Sequence, residues 1–151
     1  MRWKLGAVVA AGSLVAAVAV GMAQEKATGI VAYRQGVMKA NAGHAQALQV
    51  ALTDQTQLVG EAAYHAEAMK EGFEYLPDLF PAGSTAVSRA LPAVWDDRAG
   101  FEAAAKKAEE LAGALVEALQ SGDTAASLAA FQALGKDGCG GCHNTYRQKQ
   151  S

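Results

Sequence analysis

The chain reads as an all-α protein, an antiparallel four-helix bundle, and three observations predict it. Apolar residues recur at helical spacing throughout residues 24–151, and nowhere do β-branched residues alternate as a half-buried strand requires. The pattern is interrupted three times, at Thr53-Asp54, between Pro77 and Pro92, and at Ser121-Gly122-Asp123, which makes four helices and three connections. The last helix carries Cys139-Gly140-Gly141-Cys142-His143, with both thiols on one face.

Helix A is expected from near Thr28 to about Leu52, with an inward stripe of Ile30, Arg34, Met38, Asn41, Ala45, Leu48 and Leu52. Helix B follows a cap at Thr53 or Asp54 and turns Leu58, Ala62, His65, Met69 and Phe73 inward. Pro77, Pro81, Gly83 and Pro92 exclude regular helix, so Leu76 to about Trp95 is expected to be a loop connection. Helix C carries Phe101, Ala104, Ala108, Leu111, Leu115 and Leu119, and Ser121-Gly122-Asp123 both ends it and caps the next helix. Helix D is expected from about Thr124 through the cysteine motif to the C-terminus. Its Gly135, Gly138, Gly140 and Gly141 each cost about 1 kcal/mol against alanine, so this stretch is expected to be poorly helical unless a bound group supports it.

Residues 1–23 form a separate segment. Arg2 and Lys4 precede an apolar, alanine-rich run from Leu5 to Val20, and Gly21-Met22-Ala23 offers the small residues a signal peptidase reads. The run is short for a membrane span and a polar segment follows at once, so an export signal cleaved near Ala23 is expected rather than an anchor. What remains, 24–151, suffices for one domain, with nothing in it that suggests membrane insertion.

The whole sequence has 13 basic and 15 acidic residues, and loss of Arg2 and Lys4 leaves 11 against 15, a formal charge of −4. An acidic domain of this kind argues against nucleic acid and suits a protein partner with a basic docking patch. No nucleophile stands with a base and no carboxylates pair at a hydrolytic spacing, so no enzymatic activity is expected.

The chemistry lies in Cys139, Cys142 and His143. Cysteines three residues apart on a helix reach two vinyl groups along one porphyrin edge, and the histidine that follows offers a nitrogen to the iron. This is the attachment pattern of a covalent haem c. A thioredoxin-like dithiol uses the same cysteine spacing but sits after a strand, and none is expected before Cys139; a helical periplasmic dithiol protein without haem, in which Cys139 and Cys142 cycle between thiol and disulfide, stands as the alternative. Structural zinc needs four ligands, and the other two histidines, His44 and His65, lie far upstream without cysteines. Haem would also supply apolar bulk to a bundle rich in alanine, which buries little area.

The stripe of helix A holds two polar residues. A buried Arg34 needs a partner, which haem propionates would provide; alternatively it lies at the bundle's rim with its head in water. Met38 either ligates the iron or fills space, as inward methionines generally do. His44 falls off the stripe and is expected at the surface, and His65 is expected to be a hydrogen-bonded core or rim residue.

The ending Cys142-His143-Asn144-Thr145-Tyr146-Arg147 resembles the CxxCHxxYR ending of class II c-type cytochromes, the cytochrome c' proteins and their low-spin relatives in proteobacteria. Tyr33-Arg34-Gln35-Gly36-Val37-Met38-Lys39-Ala40-Asn41 is similar to the family's first helix, and Pro92-Ala93-Val94-Trp95 with Phe101 to the segment leading into its third. The resemblance implies a bundle enclosing one haem c, with His143 proximal and Met38 facing the distal side of the iron. It further implies Arg34 and Gln35 at the propionates and Arg147 near the proximal pocket. It places the protein in the bacterial periplasm among redox partner proteins, and the family often dimerises through its first two helices. The Met38-Lys39-Ala40-Asn41 run and Leu76-Pro77-Asp78-Leu79-Phe80-Pro81 are more like the low-spin, methionine-ligated branch, which carries electrons. The five-coordinate branch instead binds small gases such as nitric oxide or carbon monoxide.

Overall fold

A computed structural model describes residues 27–54 and 59–149. The expected leader, residues 1–23, and Leu58 lie outside them. Four long helical stretches make the bundle: α1 (Gly29–Thr53), α2 (Val59–Glu74), α4 (Arg98–Ser121), and a fourth built of α5 (Thr124–Ala133), a π-helical segment (Leu134–Gly140) and α6 (Gly141–Tyr146). A 3-10 turn (Leu76–Leu79) and the single turn α3 (Ala93–Asp96) lie in the long connection. Successive helices touch, and α5 closes the ring against α1. No described helix is long and apolar enough to cross a membrane.

The caps explain where the helices begin and end. Asp97 accepts a hydrogen bond from the Gly100 N–H and starts α4, and Gly122 ends it in the left-handed region at φ 74°, where glycine pays no Cβ penalty. One residue later the Asp123 carboxylate accepts from the Ala126 N–H at 2.9 Å and starts α5. The expected punctuation at 121–123 is therefore present. At Thr53-Asp54, Thr53 belongs to α1, and Asp54 terminates it by donating its N–H to Val50 O at 3.0 Å. α2 is described from Val59, and residues 55–58 before it lie outside the described residues.

Small side chains set the packing of the bundle's middle. Ala62 and Ala66 of α2 and Ala105, Ala108 and Ala112 of α4 are all essentially buried, in one core with Leu48, Met69 and Leu115. The expected inward stripes hold in part: Arg34, Asn41, Leu48, Leu52, Ala62, Met69, Phe73, Phe101, Ala108, Leu115 and Leu119 are buried, whereas Ile30, Met38, Ala45, His65, Ala104 and Leu111 are half-buried.

Three expectations are corrected. The long connection is not loop throughout, because Leu76–Leu79 and Ala93–Asp96 are helical turns. The glycines of the last helix widen its winding into π turns rather than breaking it, and the close approach this permits is visible at Gly138, where a Cβ would stand 3.3 Å from the Ala108 Cα. The helix also stops short of the C-terminus. Arg147 is extended and forms an antiparallel bridge with Ala90, with Leu91 N–H donating to Tyr146 O at 2.9 Å and Gln148 N–H to Arg89 O at 2.8 Å.

Candidate functional site

The tail and the long connection are tied together at one end of the bundle, around a cavity of about 630 Å³, a size within the usual range for small-molecule and cofactor sites. All seven residues singled out from the sequence line it: Arg34, Gln35 and Met38 from α1, and Cys139, Cys142, His143 and Arg147 from the last helix and tail. Met69, Ala42, Ala45, Leu76, Phe80, Val94 and Phe101 complete its apolar wall.

Directional bonds hold the connection in place. Arg98 donates to the carbonyls of Phe80 (3.2 Å) and Pro77 (3.0 Å), and Trp95 Nε1 to those of Phe80 (3.2 Å) and Pro81 (3.1 Å). Phe80, Phe101 and Tyr146 stack edge to face, with centroids 4.9 and 5.4 Å apart. The Tyr146 hydroxyl donates to Asp97 Oδ2 at 2.9 Å, so the residue that caps α4 also anchors the end of the cysteine motif.

Arg34 is 3% exposed, which removes the alternative of a solvated rim residue. Its Nη1 donates to Leu79 O (3.3 Å) and Ser84 Oγ (2.8 Å), its Nη2 to Ser84 O and Ser88 Oγ, and its guanidinium lies 4.6 Å from the Phe80 ring centroid. Of five N–H donors this leaves Nε without a protein acceptor, and no carboxylate pairs with the charge among the described residues. Gln35 Nε2 donates at 3.0 Å to the carbonyl of Val87, a β-branched residue held at φ 51°. Asn41 Nδ2, buried at the cavity wall, has no partner.

The thiols and the imidazole have opposite shifts with a common cause. Burial raises Cys139, and raises Cys142 together with the neighbouring Cys139, against a smaller pull from Arg147. Burial, then the charges of Arg147 and Arg89, hold His143 below its ordinary value, so it stays neutral, the ligating form. A redox dithiol needs a stabilised thiolate; this environment disfavours one. Among the described residues no three histidines, cysteines or carboxylates converge as a metal cluster, so structural zinc has no ligand set.

The cavity fits a planar, doubly anionic tetrapyrrole. Arg34, Lys39, Arg89 and Arg147 line it with no carboxylate to offset them, the wall between is apolar, and two thiols and an imidazole lie together on its floor. Arg89 and Ser88 were missed from the sequence, because they stand in irregular backbone where no periodicity marks a facing side. His44, expected at the surface, is half-buried against His65, outside this cavity.

Fold and site together define a c-type haem protein built on a four-helix bundle. Comparison with known proteins narrows this. The family model described as Cytochrome C' matches residues 29–147. Cytochrome c' of Pararhodospirillum photometricum is 40% identical over 120 residues, covering 78% of this chain and 95% of the relative. Cytochrome c-556 of Agrobacterium tumefaciens is 37% identical over 129 residues, covering 81% and 99%. A nitric oxide complex of a cytochrome c prime variant from Alcaligenes xylosoxidans superposes with a TM-score of 0.73 at 25% identity, covering 80% of this chain and 94% of that one. The chain belongs to the cytochrome c' family, whose members carry one covalently bound haem c. The comparisons place it in the family as a whole and not specifically in the methionine-ligated branch.

Proposed function

We propose that this chain is an exported, periplasmic monohaem cytochrome that binds a small gas, nitric oxide or carbon monoxide, at the distal face of its haem. The observation that carries the reading is that Cys139, Cys142, His143 and Met38 line one cavity. Haem c, when bound, supplies an iron that takes up a small gas or exchanges one electron. Cys139 and Cys142 would fix the ring by two thioethers, and His143, kept neutral by burial, would ligate the iron. The Nε–H of Arg34 and the charges of Arg89 and Arg147 would meet the propionates, with Gln35 holding the adjoining backbone. Met38, Ala42, Ala45 and Met69 form the apolar wall on the α1–α2 side. Support comes from cytochrome c' relatives and from the neighbour solved with nitric oxide. The reading assigns binding, not catalysis.

A second reading has Met38 as sixth ligand and the protein as an electron carrier for periplasmic redox proteins. Two observations favour it: Met38 lines the same cavity as His143, and the relatives include cytochrome c-556. Carbon monoxide added to the reduced protein separates the two. High-spin bands that shift with the gas, and that persist in the Met38→Leu variant, are expected. Sharp α and β bands indifferent to the gas contradict the gas-binding reading. If those bands then become high-spin in Met38→Leu, the thioether is the ligand.

A further inference from the structure

Outside the haem cavity, His44 of α1 and His65 of α2 bring their Nδ1 atoms to 2.9 Å, with ring centroids 5.2 Å apart and planes tilted by 48°. Tyr64 packs edge-on against both rings, at 6.2 and 5.4 Å. The chain has three histidines, so this pair is all the imidazole that the haem site does not use.

We infer that His44 and His65 form a second metal site, taking a divalent ion of the copper(II) type between α1 and α2. The donor type carries the choice of ion, and the closeness of the rings makes a shared ion possible. Two imidazole nitrogens bound to one metal at about 2.0–2.1 Å stand ~2.9 Å apart at a right angle and ~3.4 Å apart at a tetrahedral one. The observed 2.9 Å is that of a hydrogen bond between the rings, and it holds the two nitrogens near enough that ring rotation brings them to either bite. Tetragonal nitrogen and oxygen sites suit copper(II) and nickel(II), and the affinity order of divalent ions puts copper above nickel and zinc.

The pair is close to binding-ready. One Nδ1–H now donates to the other Nδ1. Binding requires that proton to move to Nε2 of its own ring, through solvent, and both rings to rotate until their lone pairs converge beside the N–N line. His65 also lines a groove of about 360 Å³ beside the pair. Water completes the coordination. A purely structural hydrogen bond between the rings would have no such selectivity.

The test is calorimetric titration of the haem-loaded protein with copper(II) and, separately, zinc(II). In that form the cysteines are thioethers and His143 is occupied, so neither competes. The expected result is one copper(II) per chain, bound at least tenfold more tightly than zinc(II). His44→Ala and His65→Ala should each weaken copper at least tenfold, and the double variant should leave only background binding. The volume-conserving His65→Gln gives the same loss should an alanine variant fold poorly. Paramagnetic resonance of bound copper should show two nitrogen ligands. Absence of saturable copper binding, binding that survives both substitutions, or an all-oxygen copper signature overturns the site.

Discussion

The middle of the bundle and its haem end are built by different rules. In the core to which α2 and α4 contribute, buried alanines predominate and nothing directional is required. At the other end, residues 75–97 leave regular helix except for two short turns, so much of the ladder that would have satisfied their carbonyls is missing. Side chains supplement what remains: Arg34 from α1, Trp95 from within the connection and Arg98 from the start of α4 together supply hydrogen bonds to the carbonyls of Pro77, Leu79, Phe80, Pro81 and Ser84. The regular part tolerates change as long as volume is kept. The irregular part depends on a few donors, and those donors also shape the cavity.

Removing one such donor should give the largest stability effect. Arg34→Leu strands the part-buried acceptors Leu79 O and Ser84 O and is expected to cost about 1–3 kcal/mol in denaturant unfolding; a loss under about 0.5 kcal/mol would mean the connection is held elsewhere. Two glycines then set the regions against each other. A Cβ at Gly138 meets Leu134 Cδ1 at 3.0 Å and the backbone of Ala108 at 3.3 Å, and the backbone cannot yield. Gly138→Ala is therefore expected to lose about 1 kcal/mol net, because overpacking outweighs the gain in helix propensity. At Gly113, in the middle of α4, a Cβ meets only Lys70 Cδ at 3.9 Å, an ordinary contact. Gly113→Ala should stabilise by roughly 0.5–1 kcal/mol. Equal signs for the two alanines would erase the distinction between close approach at the haem motif and slack in the bundle.

The sequence carries the regular half of the molecule almost completely. A period of 3.6 marks which residues of α1, α2 and α4 face inward, and Gly122-Asp123 marks a terminus because only local chemistry is needed there. Arg34 and Asn41 could be recognised as buried, but the partners of Arg34 could not, since they lie 45 to 54 residues away on irregular backbone. The antiparallel bridge at Arg147 escaped for the same reason. His44 was misplaced because α1 has two buried flanks, one toward the core and one toward α2, and a single stripe describes only the first. The site itself was legible to the extent that five consecutive residues encode it. Ser88 and Arg89, contributed by the connection, were not.

The central claim is that Cys139 and Cys142 carry one haem c in this cavity. Intact-mass measurement of the exported protein, made in a host that matures c-type cytochromes and extracted with acidified acetone, tests it most directly. The polypeptide should keep the added mass of one haem and offer no thiol to an alkylating reagent. A polypeptide of unmodified mass with two alkylatable cysteines would contradict it.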